Sequence, residues 1–369
     1  MAATRLHRSS RLPPLGAFMQ SEIISIAILF LLGSLIMWVA NLAQKRRDQN
    51  LPYQGLALIS YLALTFGYGL ALLAGLMFQA METLFATQPQ LLNEAGLNGA
   101  MGPFGQIHSP ALVSLGLWLP ALAGIVLLLP PVRRLVARFI PIDPGSPVHA
   151  VALSLTSLVV ANLLITLGIG LGTLAEMLEQ QANGDSAISM AGLWAQQIFT
   201  ALFAMIGVGW LVRRGPSSTF ERLGLVAPTV RQVAIAIGLA ILLVPLVVVV
   251  EYVGTLLGVG ENTDVERLSE QLLGPLFRSP FGIFTVGAAA ALGEETLLRG
   301  ALQPRFGLLF TTIIFALLHS NYGISISTVI VFVLGLILGI VRIRANTTTA
   351  MIVHGVYNST LALLVYLGL

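Results

Sequence analysis

Two adjacent glutamates and an arginine stand inside an apolar run that begins near Phe281. Glu294 and Glu295 are followed by Arg299. Residues four apart share a helix face, so Glu295 and Arg299 are predicted to pair. Glu294 is turned by about 100° from Glu295 and has no basic residue one turn away. Ionised groups inside a membrane span face the protein interior and mark functional sites, although such a pair could also only lock helices together.

Small residues precede Glu294 on its own helical face. They are Ala291, Ala290 and Gly287, which lie three, four and seven positions before it. Small side chains let a second helix approach closely, or they leave a cavity beside the carboxylate. The pattern therefore predicts a free carboxylate that faces a confined space.

Two histidines and an asparagine lie in the apolar runs that follow. His354 and Asn358 are four residues apart, so their side chains reach one point. At a rise of 1.5 Å per residue, Glu294 and His319 lie about 15–20 Å, and His354 about 12–14 Å, from the same end of their helices. We therefore expect these groups to occupy one layer of the bundle.

A carboxylate and two imidazoles around one buried point suit the activation of water. The glutamate would take a proton from water that one histidine holds, while the other histidine and Asn358 would donate hydrogen bonds to an oxyanion. Alternatively, His319, His354 and Glu294 would bind zinc, which accepts such ligands. The sequence contains no H-E-x-x-H motif, so a zinc site would have to assemble from separate helices.

The composition is that of a polytopic α-helical membrane protein. Of the 369 residues, 56% are hydrophobic and only 9% are charged, against about 25% charged in soluble domains. The apolar segments are too long and too uniform for barrel strands. The absence of cysteine excludes disulfides, thiolate metal sites and a cysteine nucleophile. The net charge of +3 comes from basic residues at span ends, which argues against a nucleic-acid surface.

We expect ten membrane spans of all-α structure. Their approximate bounds are 22–43, 55–78, 110–129, 148–171, 192–212, 233–257, 281–303, 308–322, 324–342 and 347–367. The ionisable groups concentrate in the last four spans, whereas Asn162, Gln196 and Gln197 in the earlier spans are predicted to link helices. The sequence therefore predicts a tail at 1–20, a six-span region of unknown role at 21–270 and a catalytic domain at 271–369.

Basic residues predict the orientation of these spans. Fourteen of the 19 basic residues follow odd-numbered spans, two lie in the opposite loops and three lie in the N-terminal tail. The positive-inside rule then predicts a cytoplasmic loop at 130–147, an external loop at 79–109 and an active site in the cytoplasmic half of a cell membrane. The three arginines of the tail disagree with this orientation, and a start at Met19 would remove the disagreement. Leucines at helical spacing predict an interfacial helix within 259–280.

The region 275–367 resembles the CPBP intramembrane proteases, a family that includes the CAAX prenyl proteases and bacteriocin-immunity-type, or Abi-like, proteins. The three motifs that carry this resemblance are Glu294-Glu295-x-x-x-Arg299, Phe315-x-x-x-His319 and His354-x-x-x-Asn358. The resemblance implies that Glu294 activates water with His319 as its partner. It also implies that His354 and Asn358 stabilise the oxyanion, and that Glu295 and Arg299 form a structural pair.

The resemblance implies hydrolysis of a peptide bond in a membrane-associated protein or peptide, without a cofactor in the preferred mechanism. Cleavage of prenylated proteins does not follow automatically, because the family has other members. A non-catalytic scaffold or immunity-type binding protein is the main alternative. A permease is favoured less, because the first six spans lack the ionisable groups that an ion pathway needs.

Overall fold

The computed structural model describes residues 15–88, 107–182, 189–258 and 262–368. These residues form helices and contain no β-strand, which confirms the predicted all-α membrane fold. The helices are α1 (Leu15–Asp48), α2 (Gln54–Thr87), α3 (Pro110–Leu127), α4 (Pro130–Val136), α5 (Pro147–Leu155), α6 (Ser157–Ile169), α7 (Leu171–Ala182), α8 (Met190–Gly207), α9 (Pro216–Leu223), α10 (Val230–Leu256), α11 (Thr263–Phe277), α12 (Pro280–Glu295), α13 (Leu308–Leu318), α14 (Ile326–Arg344) and α15 (Thr347–Leu367).

Nine helical segments in the described ranges are long and apolar enough to cross a membrane, with α5 and α6 together counting as one. The remaining apolar helix, α13, has 11 residues, which span about 16 Å of a hydrocarbon core that is about 30 Å thick. It is therefore shorter than the predicted eighth span, 308–322. The helix ends where His319 leaves helical geometry, and a 3₁₀ turn at Ser320–Tyr322 continues the chain.

Local signals explain how α12 begins and ends. Ser279 accepts a hydrogen bond from the backbone N–H of Gly282, and Pro280 follows at the first helical position. After Glu295 the helix widens into a π-helical segment, Thr296–Leu302, and then continues through Gln303–Phe306. Gly307 ends it with a φ of 81°, a conformation that favours glycine.

The two largest hydrophobic clusters of the described residues each join several helices. The first joins α1, α2, α3 and α5 through residues such as Met37 and Leu64. The second joins α10, α13, α14 and α15 through Leu243, Phe315 and Leu338. The sixth predicted span, α10, thus packs with the C-terminal helices, and the domain boundary near residue 271 stays a prediction.

The contacts between helix ends agree with the predicted distribution of charged residues between the two ends of the bundle. At one end of the bundle, Arg222 after the fifth span donates to the carbonyl of Gly300 near the end of the seventh, at 3.1 Å. At the other end, α11 packs on α7, and Arg267 donates two hydrogen bonds to the Glu179 carboxylate at 2.7 and 2.8 Å. The apolar residues of α11 lie against α7, which differs from a purely interfacial helix.

Two predicted regions fall largely outside the described residues. Most of the N-terminal tail at 1–20 precedes residue 15, and most of the loop at 79–109 lies between residues 88 and 107. The cytoplasmic side of the bundle also stays a prediction.

Candidate active site

Glu294 and His319 face each other at the ends of two different helices. Glu294 lies in the last turn of α12, and His319 is the residue that caps α13. The carboxylate Oε2 of Glu294 lies 3.9 Å from the Nε2 of His319. Their side chains are 21% and 24% exposed, whereas Glu295 next to them is completely buried. The two side chains are therefore partly accessible, whereas the Oε2 atom of Glu294 is itself buried and accepts no hydrogen bond from the described residues.

The other ring nitrogen of His319 is already occupied. Its Nδ1 lies 2.9 Å from the carbonyl oxygen of Phe315, which can only accept a hydrogen bond. Nδ1 must therefore carry the proton, which leaves Nε2 as an acceptor in the neutral ring. Tyr322 stacks on the same ring, with centroids 5.9 Å apart, and this contact restrains its orientation further.

Glu295 connects the predicted ion pair to the second histidine. Its Oε2 lies 3.2 Å from the Nε of Arg299, as the four-residue spacing predicts. Its Oε1 accepts a hydrogen bond from the Nδ1 of His354 at 2.9 Å. The sequence did not reveal this second contact, because Glu295 and His354 are 59 residues apart. Glu295 therefore both neutralises Arg299 and orients His354.

Phe315 lies at the centre of these groups. The guanidinium of Arg299 sits 4.9 Å from the Phe315 ring centroid, within the range of a cation–π interaction. The same ring meets the rings of His319 and His354 edge to face, at 4.8 and 6.1 Å. A single buried aromatic side chain thus sets the spacing between the two histidines and the ion pair.

The four residues proposed for catalysis line one cavity of about 990 Å³. Glu294, His319, His354 and Asn358 all contribute to its wall. The earlier spans contribute as well, since Phe30 of α1 and Gln196 of α8 also line it. Residues of the earlier spans therefore form part of the cavity wall, a role that the sequence did not reveal.

A polar contact from α6 holds the turn that follows His319. Asn162 donates to the hydroxyl of Ser320 at 2.7 Å, and the Thr166 hydroxyl lies 3.2 Å from the same oxygen. Asn162 thus links helices, as predicted. Because Ser320 follows His319 directly, this contact also restrains the histidine.

The small-residue face of α12 both packs closely against a second helix and leaves space beside Glu294, the two possibilities that the sequence pattern allowed. Gly287 faces the backbone of Gly355 so closely that a side chain at position 287 would collide with it, and Ala291 borders the same glycine. The last helix therefore fills most of this face. Ala290 instead lines the cavity beside Glu294.

A π-helical segment begins immediately after the two glutamates. The seven residues Thr296–Leu302 include Arg299, and the Thr296 hydroxyl donates to the carbonyl of Leu292 at 2.5 Å. Such segments are rare and occur often at functional sites. The regular α-helix assumed from the sequence does not apply beyond Glu295, although the pairing of Glu295 with Arg299 survives.

The described residues contain no group of three or more histidine and carboxylate side chains arranged to hold a metal ion. The Nδ1 of His354 is bound to Glu295 and that of His319 to Phe315, so each ring has only Nε2 left for a ligand. A zinc site would need these two nitrogens and Glu294 to converge.

Comparison with known proteins identifies the C-terminal region. Residues 277–360 match the family model of the type II CAAX prenyl endopeptidase Rce1-like proteins. Neither the curated proteins nor the solved structures include a significant match to the chain. The matched segment contains all three motifs and every residue of the constellation described above. The last helices of the chain are thus similar, over these residues, to the type II CAAX prenyl endopeptidases, which belong to the CPBP family of intramembrane proteases.

Proposed function

We propose that this protein is an intramembrane endopeptidase in which Glu294 and His319 activate a water molecule. The observation that carries the proposal is the 3.9 Å separation of Glu294 Oε2 and His319 Nε2 on the wall of a cavity within the helical bundle. This separation is too long for a direct hydrogen bond but suits a water that contacts both atoms. Both atoms are acceptors in their ordinary states, so one water can donate a hydrogen bond to each.

The proton balance of this arrangement is simple. Glu294 removes a proton from the water as its oxygen bonds to the carbonyl carbon of the scissile peptide, and the carbonyl oxygen becomes an oxyanion. Glu294 then delivers the proton to the leaving amine as the C–N bond breaks. His319 keeps its Nδ1 proton, which it donates to the carbonyl oxygen of Phe315, and its Nε2 holds the water by accepting a hydrogen bond from it.

Asn358 and His354 are proposed to stabilise the oxyanion. The amide of Asn358 can donate directly. Because the Nδ1–H of His354 is committed to Glu295, its Nε2 can donate only when the ring is doubly protonated. Glu295 accepts the hydrogen bond that orients this ring, so it is proposed to support catalysis through His354 as well as balancing Arg299.

The proposed substrate is a membrane-associated protein or peptide that reaches the site from the bilayer. The cavity wall combines the polar groups of the site with apolar residues from both halves of the chain, such as Leu29 and Val331. This mixture suits a segment that is apolar on one side and presents a peptide bond on the other. Prenylated proteins are one subclass of the proposed substrates.

The decisive experiment compares membrane proteins in cells that produce the wild type or the Glu294→Gln variant. We expect new protein termini only with the wild type, and a decrease in hydrolysis of about 10²–10⁴-fold for the variant. Glu270→Gln is the matched control, because this exposed carboxylate lies on α11 outside the cavity. If neither the wild type nor Glu294→Gln yields new termini, the protein is a scaffold or another non-hydrolytic type. If both yield the same new termini, Glu294 is not the base.

A further inference from the structure

A second cavity, of about 510 Å³, lies at the basic end of the bundle. One part of its wall is cationic and contains Arg213, Arg214, Arg222 and Arg305. The rest of the wall is mainly apolar; among its residues are Met37, Leu155, Phe203, Leu302, Ile314 and Leu318. The cavity therefore joins a cationic part, called the mouth below and formed by these four arginines, to an apolar part.

This cavity adjoins the one that contains Glu294. Six residues line both spaces: Leu155, Val159, Phe203, Leu297, Leu298 and Leu318. All of these shared residues except Val159 are larger than valine, and none is polar. An apolar chain that enters from the charged mouth would consequently lie along a wall that also faces the active site.

The positive charge of the mouth is only partly balanced. Two carboxylates border the cavity, and one of them, Asp143, is already paired with Arg47 at 2.5 Å. The other, Asp48, lies 3.6 Å from Arg213 and so weakly offsets one guanidinium. The remaining cations face the cavity without a carboxylate of their own among the described ion pairs.

The arginines are held in place by contacts that leave several of their five donors available. Arg213 donates from Nε to the side-chain oxygen of Asn41 at 3.0 Å. Arg222 donates to the Gly300 carbonyl at 3.1 Å. Burial is the main cause that lowers the pKa of Arg222 to about 10, and repulsion from the neighbouring Arg305 adds to it.

We propose that this cavity binds an anionic membrane phospholipid, with its phosphate among the arginines and part of an acyl chain along the apolar wall. Basic pockets between membrane helices recognise such headgroups, and guanidinium groups bind phosphate in a bidentate manner. The volume falls within the range of about 300–1,000 Å³ typical of ligand sites. A lipid is favoured over a free phosphate because only a lipid would also cover the apolar wall.

Thermal unfolding of the full-length protein in detergent tests this proposal, with dioleoyl phosphatidylglycerol, dioleoyl phosphatidylcholine and inorganic phosphate as the added probes. We expect phosphatidylglycerol to raise the Tm and the other two probes to leave it nearly unchanged. The choline cation would be repelled by the arginines, and phosphate alone lacks the acyl chain. The readout requires no substrate, so it does not depend on the proposed hydrolysis.

Arginine variants locate the effect. Arg222→Gln is expected to weaken the apparent affinity for phosphatidylglycerol by about tenfold or more, as for the loss of a charged hydrogen bond. Arg305→Gln serves where Arg222→Gln fails to fold, because Arg305 is exposed and tolerates replacement. Arg344→Gln is the matched control, since this exposed arginine lies at the same end of the bundle and does not line the cavity.

Three results would overturn the proposal. An equal Tm increase with inorganic phosphate would show a site for soluble anions, and an equal increase with phosphatidylcholine would show that charge plays no part. Arg305→Gln and Arg222→Gln variants that bind phosphatidylglycerol as tightly as the Arg344→Gln control would place the lipid elsewhere on the protein.

Discussion

Replacement of Glu295 by glutamine tests how the buried centre of the site is held together. Glu295 and Arg299 are both completely buried, and the carboxylate also accepts the Nδ1–H of His354 at 2.9 Å. Glutamine keeps the size and the hydrogen-bonding oxygen of glutamate but removes its charge. Arg299 would then be buried beside the Phe315 ring without a counter-charge.

The expected cost follows from that uncompensated charge. Removing one partner of a buried ion pair typically costs about 3–5 kcal/mol. With an unfolding entropy of about 2 cal/mol/K per residue, as in soluble proteins, this cost lowers the Tm of a chain of 369 residues by about 4–7 °C. The shift is larger if only part of the chain unfolds, because the entropy change is then smaller.

The assay measures the Tm of purified variants in detergent, together with their abundance in membranes. Glu294→Gln is the matched control, since Glu294 is 21% exposed and faces the cavity, and we expect it to be stable but inactive. The double variant Glu295→Gln/Arg299→Met should recover much of the lost stability, because it removes the unpaired charge. A Glu295→Gln protein as stable as the wild type, or a double variant no more stable than the single one, would refute this reasoning.

Four further outcomes are expected. Asn358→Ala should reduce kcat by about 10²–10³-fold, as for the loss of an oxyanion donor, with unchanged abundance. An increase in KM with unchanged kcat would contradict this role. Asn162→Leu, which removes the bond to Ser320, should lower hydrolysis about tenfold by loosening the turn after the catalytic histidine. Purified protein should hydrolyse substrate in chelator without stoichiometric zinc, whereas activity that vanishes with the metal would identify the two histidines as ligands. A cysteine at Glu270 should react with an impermeant reagent from outside, and one at Arg138 only after permeabilisation; the reverse pattern would invert the topology.

The sequence alone determined the class of the protein and the identity of its chemical groups. Uninterrupted apolar segments can satisfy their backbone only as helices in a membrane, so the fold class followed from composition. The Glu295–Arg299 pair followed from helical spacing, which is a local property. The convergence of Glu294, His319, His354 and Asn358 on one cavity could be anticipated because turns place their helix positions at one depth.

Only the tertiary structure decided which partner each group has. The bond between Glu295 and His354 joins residues 59 apart, and nothing local to either residue indicates it. The exit of His319 from its helix, which frees Nε2 to face Glu294, depends on Phe315, Tyr322 and the packing of α6. Residues of α1 and α8 line the catalytic cavity, and arginines from three separate segments meet at the second cavity. Both arrangements depend on how distant helices pack, which helical periodicity in the sequence does not specify.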